Sequence, residues 1–117
     1  MKARMYGYSG CGTCKKASKW LTAQGVEVEQ IAIRETPPSI DELKRALEAK
    51  GSLKLLFNTS GMDYRAMNMK EVLPTLSEEE ALKLLSENGN LVKRPMLFAE
   101  QGVLVAFKED QWEQFFS

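Results

Sequence analysis

At 117 residues the chain has the length of one domain, enough to bury roughly two-thirds of its unfolded surface without a disulfide or metal staple. Lys and Arg (16) balance Asp and Glu (16), which argues against direct nucleic-acid binding or a polybasic membrane patch. There is no histidine, which removes the usual general base and most zinc sites, and two cysteines alone leave a zinc site incomplete, so no metal is expected.

No apolar run approaches the ~18 residues of a membrane span, and the opening residues are too mixed for a secretory leader, so a cytoplasmic protein is expected. Residues 3–8 are short and partly aromatic and stop at Ser9-Gly10, the pattern of a strand entering a tight turn. From Cys11 the pattern turns helical, with Ala17, Trp20 and Leu21 at i, i+3, i+4 and Gly25 where a helix would stop. Residues 26–33 alternate as a strand, but the phase slips near Gln30, which predicts a bulge or bend. The opening third is therefore a βαβ unit with the two cysteines at its first strand-to-helix junction.

Pro37-Pro38 ends that unit, and the middle is helical in pattern. Ser39-Ile40-Asp41-Glu42 is a capping box, followed by Ile40, Leu43, Ala46 and Leu47 on one face and Gly51 as a stop. Asn58-Thr59-Ser60-Gly61 reads as a loop, and residues 62–73 as one or two helical turns. Ser77-Glu78-Glu79-Glu80 is a second capping box, before Ala81, Leu82, Leu84 and Leu85. Residues 95–99 and 103–107 are apolar runs joined by Glu100-Gln101-Gly102, a hairpin signal, and Trp112, Phe115 and Phe116 fit one face of a last helix. The order βαβ, helical block, ββα predicts an α/β thioredoxin-like fold with a mixed four-stranded sheet. It would form a single domain over residues 1–117, with residues 39–90 as a helical insertion between the second and third strands.

Cys11-Gly12-Thr13-Cys14 carries the chemistry. In a reducing compartment a lone C-x-x-C pair points to redox work rather than a structural bridge. A cysteine that opens a helix faces free N–H groups and the positive end of the helix dipole, which stabilise its thiolate. Lys15 and Lys16 add positive charge in the first turn. Cys14, one turn on, is in reach of Cys11, and Gly12 and Thr13 are short enough not to obstruct it. Cys11 is thus the expected nucleophile and Cys14 the resolving thiol. Arg94-Pro95 stands at the entrance of the third strand, where a proline marks a special turn. In a thioredoxin-like arrangement that proline is cis and lies beside the reactive cysteine, which aims the Arg94 fork at an oxyanion or a carboxylate.

These marks resemble the arsenate reductase-like family that also holds the Spx-type regulators. The resemblance rests on Tyr6-x5-Cys11-x2-Cys14-Lys15-Lys16-Ala17 with Trp20-Leu21, Asn58-Thr59-x4-Tyr64-Arg65, Lys93-Arg94-Pro95 and Ala106-Phe107-Lys108. It implies a thioredoxin-like fold with a helical insertion, Cys11 as the reactive cysteine, Arg94 beside it and Arg65 as a second basic residue facing the same cleft. A true arsenate reductase of this type carries a third arginine in the last hairpin, where this chain offers only Lys108, and usually lacks a cysteine at the Cys14 position. Spx-type regulators use C-x-x-C as a disulfide switch and bind the RNA polymerase α-subunit; Gly51-Ser52 is a poor match to their contact glycine. A third branch holds small thiol reductases that use glutathione, and this chain is similar to them in its compact ending. The expected function is a thiol-disulfide oxidoreductase in which Cys11 attacks and Cys14 or glutathione resolves. No bound cofactor is expected, and the reductant is glutathione or a glutaredoxin or thioredoxin-type protein. The alternatives are a redox-sensing regulator bound to the RNA polymerase α-subunit and a genuine arsenate reductase.

Overall fold

The computed structural model describes residues 2–117. β1 (Lys2–Gly7), α1 (Gly12–Ala23) and β2 (Glu27–Ala32) form the opening unit. α2 (Ile40–Lys50), α3 (Met62–Ala66), α4 (Met69–Val72) and α5 (Glu78–Glu87) follow, then the hairpin β3 (Met96–Ala99) and β4 (Gly102–Val105), and finally α6 (Glu109–Phe116). The sheet order is β2-β1-β3-β4. β1 and β2 run parallel from Lys2↔Glu27 to Gly7↔Ala32, whereas β3 lies antiparallel to both β1 and β4. This is the mixed sheet of a thioredoxin-like fold.

Strand alternation sends side chains to two faces, and each face has its own core. Ala3, Met5, Leu97, Ala99 and Leu104 pack with Ala17 and Leu21 of α1 and Trp112 of α6. Tyr6, Met96, Phe98, Val103 and Val105 face the other way, onto Leu43 and Ala46 of α2 and Ala81, Leu82 and Leu85 of α5. The molecule is therefore helices on both sides of one sheet. This double packing explains the phase slip in β2. Its register with β1 is continuous and holds no bulge, contrary to the sequence expectation. Val26 and Val28 pack on one face and Ile31 and Ile33 on the other, so the strand changes the core it serves without changing its pleat.

Local signals set the helix ends. Both capping boxes form: Ser39 and Ser77 each accept from the backbone N–H three residues on, and Glu42 and Glu80 accept from the Ser39 and Ser77 N–H groups. Gly51 closes α2 with φ of 76°, a conformation glycine adopts without penalty. Ile40 departs from its expected place on the buried face of α2, because it opens the helix beyond the edge of the core and is exposed. Phe107 lies outside β4, which ends at Val105 before Ala106 turns to a positive φ. A 3-10 segment, Leu53–Leu56, leads to Phe57, which bridges to Val92 and ties the helical block to the segment entering β3.

Candidate functional site

The site forms where β1 ends and α1 begins. Cys11 is the N-cap of α1, with extended φ/ψ of −88° and 115°, and its sulfur accepts from the Cys14 N–H at 3.4 Å. The turn is tied back by the Cys11 N–H donating to the Tyr8 carbonyl at 2.9 Å. Cys11 is half-buried, Cys14 is 4% exposed, and neither forms a disulfide. Gly7 makes this close approach feasible, since a Cβ there would sit 3.3 Å from the Cys14 sulfur.

The two thiols are driven in opposite directions. Burial alone pushes Cys11 up, but it is outweighed by hydrogen bonds from the Cys14 thiol, the Cys14 N–H and the Thr13 N–H, and by the Arg94 charge, so its pKa lies below the ordinary cysteine value. Cys14 is pushed up to about 12, first by burial, then by its hydrogen bond and charge interaction with Cys11. One thiol is thus poised as a thiolate while its neighbour keeps its proton and donates it.

Arg94 stands at the other side of this turn. The Arg94–Pro95 peptide is cis, and the buried Pro95 carbonyl accepts from the Ala106 N–H at 2.9 Å. The Arg94 guanidinium lies 5.5 Å from the centre of the Tyr8 ring, and its Nη1 is buried with no hydrogen-bond partner. The structure therefore brings Cys11, Cys14, Thr13, Arg94 and Pro95 together. Gly12 is exposed beside them, and a Cβ there would meet only open space. Arg65 is exposed on α3 and Lys108 is exposed at the start of α6. Of the basic side chains among the described residues, Arg94 is the one whose charge lowers Cys11. Lys15 and Lys16, expected to help, do not, and nor does Arg65. Both lysines are exposed, where water screens their charge.

Two residues at this end escaped the sequence reading. Arg34 stacks on the Tyr8 ring with its guanidinium 3.9 Å from the ring centre. The available signal was topological: β1 and β2 are parallel, so the residues just after each strand gather at one end of the sheet. Among the described residues no group of three or more acidic, cysteine or histidine side chains is placed to hold a metal, and no helix is long and apolar enough to cross a membrane.

A model of the ArsC family matches residues 6–115. The chain belongs to the ArsC family. The YusI protein of Bacillus subtilis is 50% identical over 97% of this chain and 98% of its own length. The global transcriptional regulator Spx of Enterococcus faecalis is 29% identical over 95% of this chain and 83% of its own length. A crystal structure from Bacteroides fragilis, assigned to the ArsC-related proteins, superposes with a TM-score of 0.91 at 41% identity, covering 98% of each chain. Family and fold thus agree with the reading of the sequence.

Proposed function

We propose that this ArsC-family chain is a thiol-disulfide oxidoreductase in which Cys11 attacks and Cys14, or glutathione, resolves. The observation that carries the reading is the opposed pair of thiols: Cys11 held low by its hydrogen bonds and by Arg94, Cys14 raised to about 12 beside it. The low thiol is the nucleophile; the high thiol waits for a mixed disulfide to form at its neighbour and then attacks the Cys11 sulfur, releasing the substrate thiol. Gly12 and Thr13 line the turn, Thr13 supports the thiolate through its N–H, and Arg94 and Pro95 bound the site on the far side. Arg65 would contact only a substrate long enough to reach α3.

The decisive experiment is turnover of the purified protein with glutathione and a mixed disulfide, run beside arsenate. Disulfide reduction without arsenate reduction supports the reading; arsenate turnover alone overturns it in favour of an arsenate reductase. Similarity to Spx supports a second reading, a Cys11–Cys14 switch that controls binding to the RNA polymerase α-subunit. Redox-dependent capture of that subunit, with no disulfide turnover, would establish the switch instead.

A further inference from the structure

Tyr8 stands in the turn between β1 and α1, and both its backbone and its ring are engaged there. Its carbonyl accepts from the Cys11 N–H at 2.9 Å, and its backbone also hydrogen-bonds Cys14. The ring packs against the core on the α2 side of the sheet. It also lies so close to Gly10 that a Cβ there would fall 2.7 Å from it. A ring held by both the core and the turn is a fixed platform beside the nucleophile. Two guanidiniums use it. Arg34 lies 3.9 Å and Arg94 5.5 Å from the ring centre, both within the ~6 Å over which an aromatic face attracts a cation.

Arg94 needs such a platform. Its Nη1 is buried without a hydrogen-bond partner, and among the described residues no carboxylate pairs with it. A long side chain without a fixed partner samples many rotamers, and its charge then acts on a neighbour only part of the time. We propose that Tyr8 is a positioning residue whose ring holds the Arg94 guanidinium toward Cys11. An aromatic face orients a cation without neutralising it, as a carboxylate would, so the whole charge stays available to the thiolate. The proposal rests on the thiol-disulfide reading given above, in which Arg94 assists Cys11 as the nucleophile.

The test on the full chain is the pH profile of Cys11 alkylation by iodoacetamide, a neutral reagent that needs no bound substrate. Among the described residues, Cys14 and Arg94 are the titratable and charged groups that act on Cys11, and Cys14 holds its proton up to about 12, so the lower midpoint reports Cys11. Tyr8→Leu keeps an apolar side chain against the core but removes the ring. It should raise the midpoint by about 0.3–0.7 pH units, the two- to fivefold of one cation–π contact. Tyr8→Phe keeps the ring and should hold the parent midpoint. Gly10→Ala leaves Tyr8 whole but displaces its ring, so it should raise the midpoint as Tyr8→Leu does, and it serves as the test if Tyr8→Leu does not fold. With Arg94→Ala already in place, neither change should move the midpoint further, because a residue that acts through Arg94 has nothing left to hold. A midpoint unmoved by Tyr8→Leu and Gly10→Ala, or moved as far without Arg94 as with it, overturns the positioning role. None of these readouts needs turnover. A protein that follows this pattern yet reduces no disulfide would keep the role of Tyr8 and overturn the oxidoreductase reading alone.

Discussion

The two ends of β1 use the same residue types to opposite effect. Within the strand, Arg4 pairs with Glu42, and the Tyr6 hydroxyl donates to Glu42 at 2.6 Å. Glu42 also closes the α2 capping box, accepting from the Ser39 N–H at 3.0 Å. At the other end Tyr8 meets two guanidiniums, those of Arg34 and Arg94, and among the described residues neither is ion-paired to a carboxylate. An arginine with an internal acid is neutralised and serves the fold. An arginine without one leaves positive potential in place, and that of Arg94 falls on Cys11 and lowers its pKa. The difference between structural and functional charge is whether the chain supplies the counter-ion.

The sharpest way to break this comparison is at the sulfur. Cys11→Ser should abolish thiol exchange completely, whereas Cys14→Ser should still form a mixed disulfide at Cys11 that it cannot resolve. Mass analysis of the intact protein after mild oxidation separates the outcomes, and the parent should lose two hydrogens within the monomer. A mixed disulfide on Cys14 in the Cys11→Ser protein, formed as fast as in the parent, would reverse the roles. Next in size is Arg94. A charge-assisted hydrogen bond is worth roughly 1.5–3 kcal/mol, so Arg94→Ala should cost about ten- to a hundredfold in turnover. It should also move the alkylation midpoint of Cys11 to higher pH, because the Arg94 charge lowers it. Arg94→Lys should fall between, keeping the charge without the fork. Arg65→Ala, from an exposed site on α3, should cost less than Arg94→Ala in the same assay.

How much of this was legible in the sequence follows from range. Ser39 and Ser77 announced their helices because a capping box is written in four consecutive residues. Cys11 and Cys14 announced the site for the same reason, one helical turn apart. The partner of Phe57 is Val92, and the partner of Tyr8 is Arg34; neither distance along the chain leaves a periodic mark. The slip in β2 is visible in the sequence, where it reads as a bulge or bend, and the register holds no bulge. A single buried face would have made it a bulge, and only the second core, on the α1 side, shows why the apolar positions change phase. Arg94 was found through its place before Pro95 and through family resemblance, since an arginine beside a proline carries little meaning alone.

The start of β1 tests the comparison from its structural side. Glu42→Ala removes the ion pair with Arg4, the acceptor of the Tyr6 hydroxyl and one half of the capping box together. These losses should lower unfolding free energy by about 1–3 kcal/mol, read from the denaturant midpoint at unchanged slope. The pH profile of Cys11 alkylation should stay where it is. A profile that moved with Glu42→Ala would show that the two ends are coupled, and the division between them would be lost.

The smallest effect lies in alkaline stability and concerns the sign of the Cys14 shift. In the unfolded chain Cys14 ionises near its ordinary value of ~8.5, whereas in the fold it holds its proton up to about 12. Between those values the folded state binds the proton that the unfolded state has lost, so stability falls as pH rises through that window. Cys11 acts with the opposite sign. Its folded value is depressed, so its contribution is present above the unfolded value and is lost as pH falls through the folded one. Under reducing conditions Cys14→Ser should therefore lose stability less steeply than the parent between about pH 8 and pH 10. Denaturant midpoints measured across that range give the two slopes directly. Equal slopes would mean that the fold does not hold Cys14 protonated, and the division of labour between the two thiols would rest on Cys11 alone.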